Sequence, residues 1–282
     1  TVGAAQHYWR GNVYTVYTPT GWKPEGSFDA TAPSRDPRET PPGRYRLDQE
    51  FEIVASHAGL LFSANQPVAS GADTSLLYRT LDDTALISGS ASAYPVSSWV
   101  TQVSANDLEA ASPAIPPEIA SIYSQLPENL PARVGQLSAR IIAGAGTTFQ
   151  KVLRVQEYLR QTYAYSTDTP APGADIDFVD QFLFESQTGY CTHFASSMAV
   201  MLRTQGIPAR VATGYATGSY DDQRKAYRVI ASSAHAWVEV FFPGYGWIEF
   251  EPTPSQTPFR YTRYTPQGEV IAPPPVLQAE PL

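Results

Sequence analysis

Apolar positions divide the chain into a β-rich first part and a mixed second part. Up to about residue 104, short strand-like runs are separated by glycine and proline. Beyond it, apolar side chains recur at helical spacing, most clearly in 132–143 and 148–163. The pattern predicts an α+β chain with a β-rich N-terminal domain at 1–104 and a core at 105–256. The proline-rich residues 257–282 predict a tail or linker.

The core is expected to hold a buried helix followed by strands. Residues 190–203 are mostly apolar, and Gly206 with Pro208 just beyond it predicts the end of the helix. Alternating or continuous apolar runs predict strands at 209–215, 226–230, 236–242 and 247–251.

Composition and charge limit the classes of function that the chain can have. The chain has 282 residues, 43% of them hydrophobic, which is ordinary for a folded protein. Its formal net charge is −8 and its pI about 5.0, so no nucleic-acid partner is expected, because phosphate contacts need clustered Lys and Arg. No apolar run approaches the roughly 18–20 residues that span a bilayer. The chain starts at Thr1 without a signal peptide, and we expect it to be part of a longer protein.

One cysteine and four histidines supply the candidate chemistry. Cys191 is the only cysteine, which excludes an internal disulfide and paired-cysteine zinc sites, and no metal or cofactor is expected. A thiol at a helix N-terminus is favoured as a nucleophile, although an inert cysteine can occupy the same place. His7 and His57 fall in the β-rich part and are expected at the surface or in packing. His193 should point away from Cys191 and bond a neighbouring loop, which leaves His235 as the base.

The strands around His235 limit which acid can reach it. The apolar faces of 236–242 and 247–251 align only if Phe241 lies opposite Trp247. In that register Glu251 shares the face of His235 and lies diagonal to it on the neighbouring strand, and diagonal neighbours are roughly 7–8 Å apart, near enough for long side chains to meet. The pattern therefore predicts that Glu251 orients His235. Two further acids, Glu239 and Glu249, are expected to face solvent.

Five sequence blocks fall within about residues 150–254: 189–195 (GYCTHFA), 206–211 (GIPARV), 214–215 (GY), 234–240 (AHAWVEV) and 246–253 (GWIEFEPT). Together they resemble the transglutaminase-core superfamily, in particular its bacterial membrane-anchored branch. Upstream, the tripeptide Tyr8-Trp9-Arg10 followed by Gly21-Trp22 also resembles that branch. The resemblance implies a papain-like fold in which a helix bearing the cysteine packs on a sheet bearing the histidine and the acid.

The resemblance also implies the site residues. A Cys–His–Asp triad maps to Cys191, His235 and Glu251, with Glu where the family usually carries Asp. Half of an oxyanion hole would come from the backbone N–H of Cys191. Tyr165 is the candidate for the other half, and its alternative role is that of a buried tyrosine closing a helix.

The resemblance implies acyl transfer from a glutamine carboxamide to a primary amine or water through a thioester on Cys191, with a glutamine-bearing protein or peptide as substrate. A cysteine peptidase or amidase with the same triad, and an inactive binding module of the cell envelope, are the alternatives. The expected location is outside the cytoplasm, at the periplasm or cell surface. Contact with the membrane would come only through flanking segments absent from this chain.

Overall fold

The computed structural model describes residues 7–23, 40–54, 59–79, 84–169 and 176–271. The predicted tail is therefore described only as far as residue 271, and the position of His57 lies outside the described residues.

Strands dominate the first part of the described chain and alternate with helices in the second. In chain order the described strands are β1 (Trp9–Tyr14), β2 (Val16–Thr18), β3 (Gly21–Lys23), β4 (Arg44–Glu52), β5 (Leu60–Leu61), β6 (Ser63–Ala64), β7 (Gln66–Ser70), β8 (Thr74–Arg79), β9 (Thr84–Gly89), β10 (Ala93–Thr101), β11 (Ala164–Tyr165), β12 (Thr188–Gly189), β13 (Ala209–Tyr215), β14 (Ser219–Asp221), β15 (Ala226–Arg228), β16 (Ala234–Phe242), β17 (Gly246–Phe250), β18 (Arg263–Tyr264) and β19 (Val270–Ile271). The α-helices are α1 (Ala105–Ala110), α2 (Pro117–Tyr123), α3 (Ala132–Ile142), α4 (Thr148–Thr162), α5 (Phe178–Gln181) and α6 (Cys191–Arg203). A π-helical turn follows α5 at Phe182–Ser186, and a 3-10 turn at Ala231–Ser233 precedes β16.

A five-stranded antiparallel sheet forms the centre of the fold, with the strand order β17-β16-β13-β1-β6. Helix α6 packs on the apolar face of this sheet, against side chains such as Val238 and Val240. From Phe194 to Leu202, all its apolar side chains are buried, so the helix is held from every side. The predicted α+β class with a helix-on-sheet core is confirmed.

The end of α6 follows the sequence pattern. Gly206 takes the left-handed conformation, with φ of 70°, that lets the chain leave the helix. Arg203, in the last turn, is buried and donates to the carbonyl oxygens of Ala209, Gln125 and Thr15. The guanidinium therefore ties the end of the helix to the start of β13 and to the N-terminal segment.

The hairpin of β16 and β17 has the predicted register. Phe241 lies opposite Trp247, and one further pair, Phe242 with Gly246, closes the ladder. Both glycines of the turn have positive φ, 88° at Gly244 and 75° at Gly246, which explains why glycine is used there. This register sets the position of Glu251, which directly follows β17.

Strand β1 lies inside the core sheet, although sequence analysis placed it in a separate domain. It pairs with β13, and a methyl group on Gly214 would lie 1.9 Å from the carbonyl oxygen of Trp9. Glycine is therefore needed there so that the two backbones can approach. The boundary at residue 104 stays a prediction for the rest of the N-terminal part, whose strands form smaller sheets of order β4-β10-β7 and β5-β9-β8.

The run 226–230 was expected to be a strand of the core, and this was wrong. Only residues 226–228 form a strand, β15, and it pairs with β14 in a two-stranded hairpin. Tyr227 and Tyr220 pack against each other there, with ring centroids 5.1 Å apart. Val229 and Ile230, which follow β15, are exposed, so this run adds nothing to the core.

Candidate active site

Cys191 is the first residue of α6, as predicted. Its backbone N–H is one of the helix N-terminal amides that have no acceptor within the helix, and the thiol stands at the positive end of the helix dipole. The side chain is partly exposed, whereas the helix behind it is buried. A rigid support and an accessible sulfur are both present.

Gly189 and His193 fix the backbone just before Cys191. The ring nitrogen Nδ1 of His193 accepts a hydrogen bond of 3.3 Å from the N–H of Tyr190. A methyl group on Gly189 would lie 2.7 Å from His193, so only glycine allows this approach. Burial lowers the pKa of His193 to about 4, so the ring is neutral and can accept. His193 therefore bonds Tyr190, the residue just before the helix, where a hydrogen bond to a neighbouring loop was predicted.

His235 and Glu251 meet in the interior, at the start of β16 and just after β17. His235 Nε2 and Glu251 Oε2 are 2.6 Å apart, and both side chains are almost wholly buried. The longer side chain of glutamate thus reaches the imidazole, in the way that the register predicted. The other carboxylate oxygen, Oε1, accepts from the N–H of Thr253 at 2.7 Å.

Helix α4 fixes the backbone of Glu251 from behind. Gln156 accepts a hydrogen bond from the N–H of Glu251 at 3.0 Å. Arg160 donates to the carbonyl oxygens of Glu251, Thr253 and Gln256, at 3.0, 2.5 and 2.9 Å. Neither residue was predicted, because hydrogen bonds to backbone atoms leave no pattern in the sequence.

The environment of His235 favours its charged form. Burial lowers the pKa of the ring, but the hydrogen bonds to the Cys191 thiol and Glu251, together with their charges, outweigh it and raise the pKa to about 9. The imidazole thus interacts with the thiol and with the carboxylate. The structure brings the three predicted residues together in the order Cys191–His235–Glu251.

Tyr165 lies beside the site and is not buried. Its strand β11 pairs in parallel with β12, with Tyr165 opposite Gly189, two residues before Cys191. The side chain is 43% exposed, so the alternative of a buried tyrosine is wrong. Partial burial and the nearby Cys191 raise the pKa of Tyr165, so the phenol keeps its proton and can donate. Its part in an oxyanion hole stays a prediction.

Glu239 and Glu249 do not face solvent, contrary to expectation. Both are buried on the face of the sheet opposite α6. Glu239 accepts from Arg10 at 3.0 Å and from Arg210 at 2.7 Å. Burial raises the pKa of Glu239, but the charges of Arg210 and Arg10 outweigh it and bring the pKa below its ordinary value. Glu239 is thus the partner of two buried arginines, whereas the side chain of Glu249 hydrogen-bonds Asn65.

Tyr8 reaches the site from the N-terminal segment and was missed. Its hydroxyl donates to Glu251 Oε2 at 2.7 Å across 243 residues of sequence. Its ring packs edge-on against those of His235 and Trp237, with centroids 5.1 and 5.0 Å apart. The only available signal was the resemblance of the tripeptide Tyr8-Trp9-Arg10, which says nothing of the contact.

Among the residues that the structure describes, no three or more His, Cys, Asp or Glu side chains cluster in a way that could hold an ion. The candidate site consists of a thiol, an imidazole, a carboxylate and the groups that hold them.

Comparison with known proteins identifies the family. The model of the transglutaminase-like superfamily matches residues 135–252, a range that contains Cys191, His235 and Glu251. This part of the chain belongs to the transglutaminase-like superfamily.

Two curated relatives match the chain. A Bacillus subtilis protein described as uncharacterized, YebA, is 44% identical over 147 residues, which are 50% of this chain and 20% of the relative. A protein-glutamine gamma-glutamyltransferase of Pseudomonas aeruginosa is 42% identical over 106 residues, 38% of this chain and 16% of the relative. The chain thus spans a fifth or less of the length of these relatives.

Solved structures extend the likeness to the N-terminal part. The periplasmic domain of TgpA from Pseudomonas aeruginosa, bound to ethylmercury, superposes with a TM-score of 0.66 at 27% identity. The match covers 88% of this chain and 84% of that one, so both share the core and most of the β-rich part. Along the described ranges, no helix is long and apolar enough to cross a membrane.

Proposed function

We propose that the chain transfers the acyl group of a glutamine side chain to a primary amine or to water, through a thioester on Cys191. The observation that carries this proposal is the buried pair of His235 and Glu251, 2.6 Å apart, next to a thiol at a helix N-terminus. A relative named protein-glutamine gamma-glutamyltransferase supports glutamine as the acyl donor.

The first half of the reaction forms the thioester. With the proton of the thiol on His235, the sulfur of Cys191 attacks the carboxamide carbon and forms a carbon–sulfur bond. His235 then gives its proton to the amide nitrogen, the carbon–nitrogen bond breaks and ammonia leaves. Glu251 stabilises the imidazolium and keeps its Nε2–H directed at the carboxylate, so that Nδ1 serves the thiol.

The second half of the reaction releases the acyl group. Neutral His235 takes a proton from the incoming amine or water, whose nitrogen or oxygen attacks the thioester carbon. The carbon–sulfur bond breaks and Cys191 is restored, with an isopeptide bond or a glutamate as the product.

The negative oxygen of each tetrahedral intermediate needs hydrogen-bond donors. We assign the backbone N–H of Cys191 and the hydroxyl of Tyr165 to this role, because both flank the sulfur and the phenol keeps its proton. Each such donor is worth roughly 10²–10³ in rate where it has been tested in other enzymes.

The chain would work outside the cytoplasm, as part of a longer envelope protein. This location is supported by the likeness to a domain described as periplasmic. A protein or peptide that carries an accessible glutamine is the substrate expected there.

The direct test is incorporation of a fluorescent primary amine into a glutamine-rich acceptor protein, with wild type beside Cys191→Ala. We expect label with wild type and a loss of at least about 10³-fold in the variant, since the nucleophile is gone. Deamidation or cleavage of the acceptor protein without label, detected by mass spectrometry, would show that the chain is a hydrolase instead. If Cys191 is alkylated fast but no product forms, the thiol is reactive and the acyl donor is not glutamine. Slow alkylation of Cys191 would contradict the proposal.

A further inference from the structure

The carboxylate of Glu251 is shared between two donors on one oxygen. Oε2 accepts from the hydroxyl of Tyr8 at 2.7 Å and meets Nε2 of His235 at 2.6 Å, while Oε1 is taken by the N–H of Thr253. Glu251 is fully buried, so water cannot replace a lost donor at no cost. Tyr8 and His235 therefore compete for the electron density of the same oxygen.

The ring of Tyr8 is held as firmly as its hydroxyl. Tyr8 is 1% exposed, and its ring contacts Phe259 at 4.9 Å between centroids as well as His235 and Trp237. The residue belongs to the short segment just before β1, whose pairing with β13 delivers it to the site. Because Tyr8 is buried, it cannot contact a substrate. Any effect of Tyr8 on the reaction therefore passes through Glu251 and His235.

We propose that Tyr8 is a positioning residue of the active site, whose hydroxyl holds the Glu251 carboxylate and limits its pull on the His235 imidazolium. The inference rests on the function proposed above. It assigns a role in that site to the N-terminal segment, which would otherwise serve packing alone.

The sharing has a chemical consequence. A carboxylate that accepts from a second donor is a weaker acceptor for the first, and a hydroxyl proton near the imidazolium disfavours its charge. Besides Tyr8, the titratable groups that interact with the His235 ring are Cys191 and Glu251. The guanidinium of Arg160 bonds the backbone oxygen of Glu251 and interacts electrostatically with Glu251 and Tyr8. Tyr8 thus keeps His235 acidic enough to give its proton to leaving ammonia.

The test is the titration of His235 followed by NMR of the histidine rings, with His235→Asn used for assignment. Tyr8→Phe keeps the ring contacts and removes only the hydroxyl. We expect the pKa of His235 to rise by roughly 0.5–1 unit, because Oε2 then serves the imidazolium alone. Where acyl transfer is measurable, kcat should fall by roughly 3–10-fold with KM unchanged, since Tyr8 does not touch the substrate.

Tyr17→Phe is the matched control. Tyr17 is equally buried and its hydroxyl donates to another buried carboxylate, that of Asp177, at 2.9 Å. Its loss should lower stability and leave the titration of His235 unchanged. An unchanged or lowered pKa of His235 in Tyr8→Phe would overturn the proposal, whatever happens to stability.

A second replacement covers the case that Tyr8→Phe does not fold. Incorporation of 3-fluorotyrosine at position 8 gives a more acidic hydroxyl and a stronger hydrogen bond, so the pKa of His235 should fall. A rise would overturn the proposal. Neither titration needs a substrate, so failure of this inference and failure of the proposed acyl transfer are distinguishable.

Discussion

The two faces of the core sheet are both covered, but by different chemistry. On one face, Val238 and Val240 of β16 pack against α6 in an apolar core. On the other, Glu239 bonds Arg10 and Arg210 beneath the N-terminal strands. The apolar face supports the helix that presents the thiol, whereas the polar face carries His235 and its partners. The site forms where a rigid apolar layer and a buried network of charges and hydrogen bonds meet.

The two faces of the sheet are stabilised by different kinds of interaction. Apolar burial tolerates small shifts, because it depends on area and packing. A buried charge network depends on every partner, since one missing group leaves another charge uncompensated. The substitutions below separate the two kinds of support.

The largest loss of stability is expected from Glu239→Gln. The change leaves the buried guanidinium groups of Arg10 and Arg210 without the carboxylate that both contact. We expect the free energy of unfolding to fall by roughly 3–5 kcal/mol, measured by urea denaturation at pH 7.

Asp222→Asn is the control for Glu239→Gln. It removes a carboxylate from the exposed ion pair with Lys225, 3.5 Å apart, and should change stability by less than about 1 kcal/mol. Equal costs for the two variants would mean that the charge network contributes no more than a surface pair.

The apolar face is tested by Met198→Ala in α6. Met198 is fully buried, and its truncation should cost roughly 2–5 kcal/mol through lost burial and a cavity. In the folded variant, the titration of His235 should stay as in wild type, because Met198 packs in the apolar cluster on the α6 face of the sheet, which does not include His235.

Val54→Ala is the control for the apolar face. Val54 is 93% exposed, and its truncation should change stability by less than about 0.5 kcal/mol. If Met198→Ala shifted the pKa of His235 while the protein stayed folded, the separation of the two faces would be wrong.

The sequence predicted one face better than the other, for a physical reason. Alternation along β16 and β17 identified the apolar face and the pairing of Phe241 with Trp247, and this register led to Glu251. The same alternation cannot tell a polar face in water from one covered by another part of the chain. Glu239 and Glu249 were misjudged for that reason.

Contacts between distant parts of the chain lie beyond such patterns altogether. Tyr8 meets Glu251 across 243 residues, and Arg160 acts on backbone oxygens of the segment after β17. Cys191 and His235 could be singled out as candidates because chemistry restricts a nucleophile and its base to few residue types. Groups that hold them can be almost any polar residue, so spacing alone does not reveal them.

The smallest effect is expected from Glu249→Gln, and this substitution should stabilise the protein, whereas the others destabilise it. Burial, and then the negative charge of Glu239, raise the pKa of Glu249 to about 7 from 4.5. Between these values the folded protein binds more protons than the unfolded chain, so the stability that Glu249 contributes is full below pH 4.5 and is lost as the pH rises through 7. Glu249→Gln should remove this loss and stabilise the protein at pH 8 by roughly 1–3 kcal/mol, with little gain at pH 4.5.

The measurement is the free energy of unfolding of wild type and of Glu249→Gln between pH 4.5 and 8. At each pH the wild-type value is subtracted from that of the variant. The difference cancels the contribution of His235, whose pKa of about 9 also makes stability fall with rising pH, above 6.5. Glu128→Gln, at an exposed glutamate, should leave the curve unchanged within a few tenths of a kcal/mol. A variant that is less stable than wild type at pH 8 would show that the charge of Glu249 is needed by Arg10 and Arg44. The polar face would then be a balanced set of charges, rather than one with a surplus carboxylate.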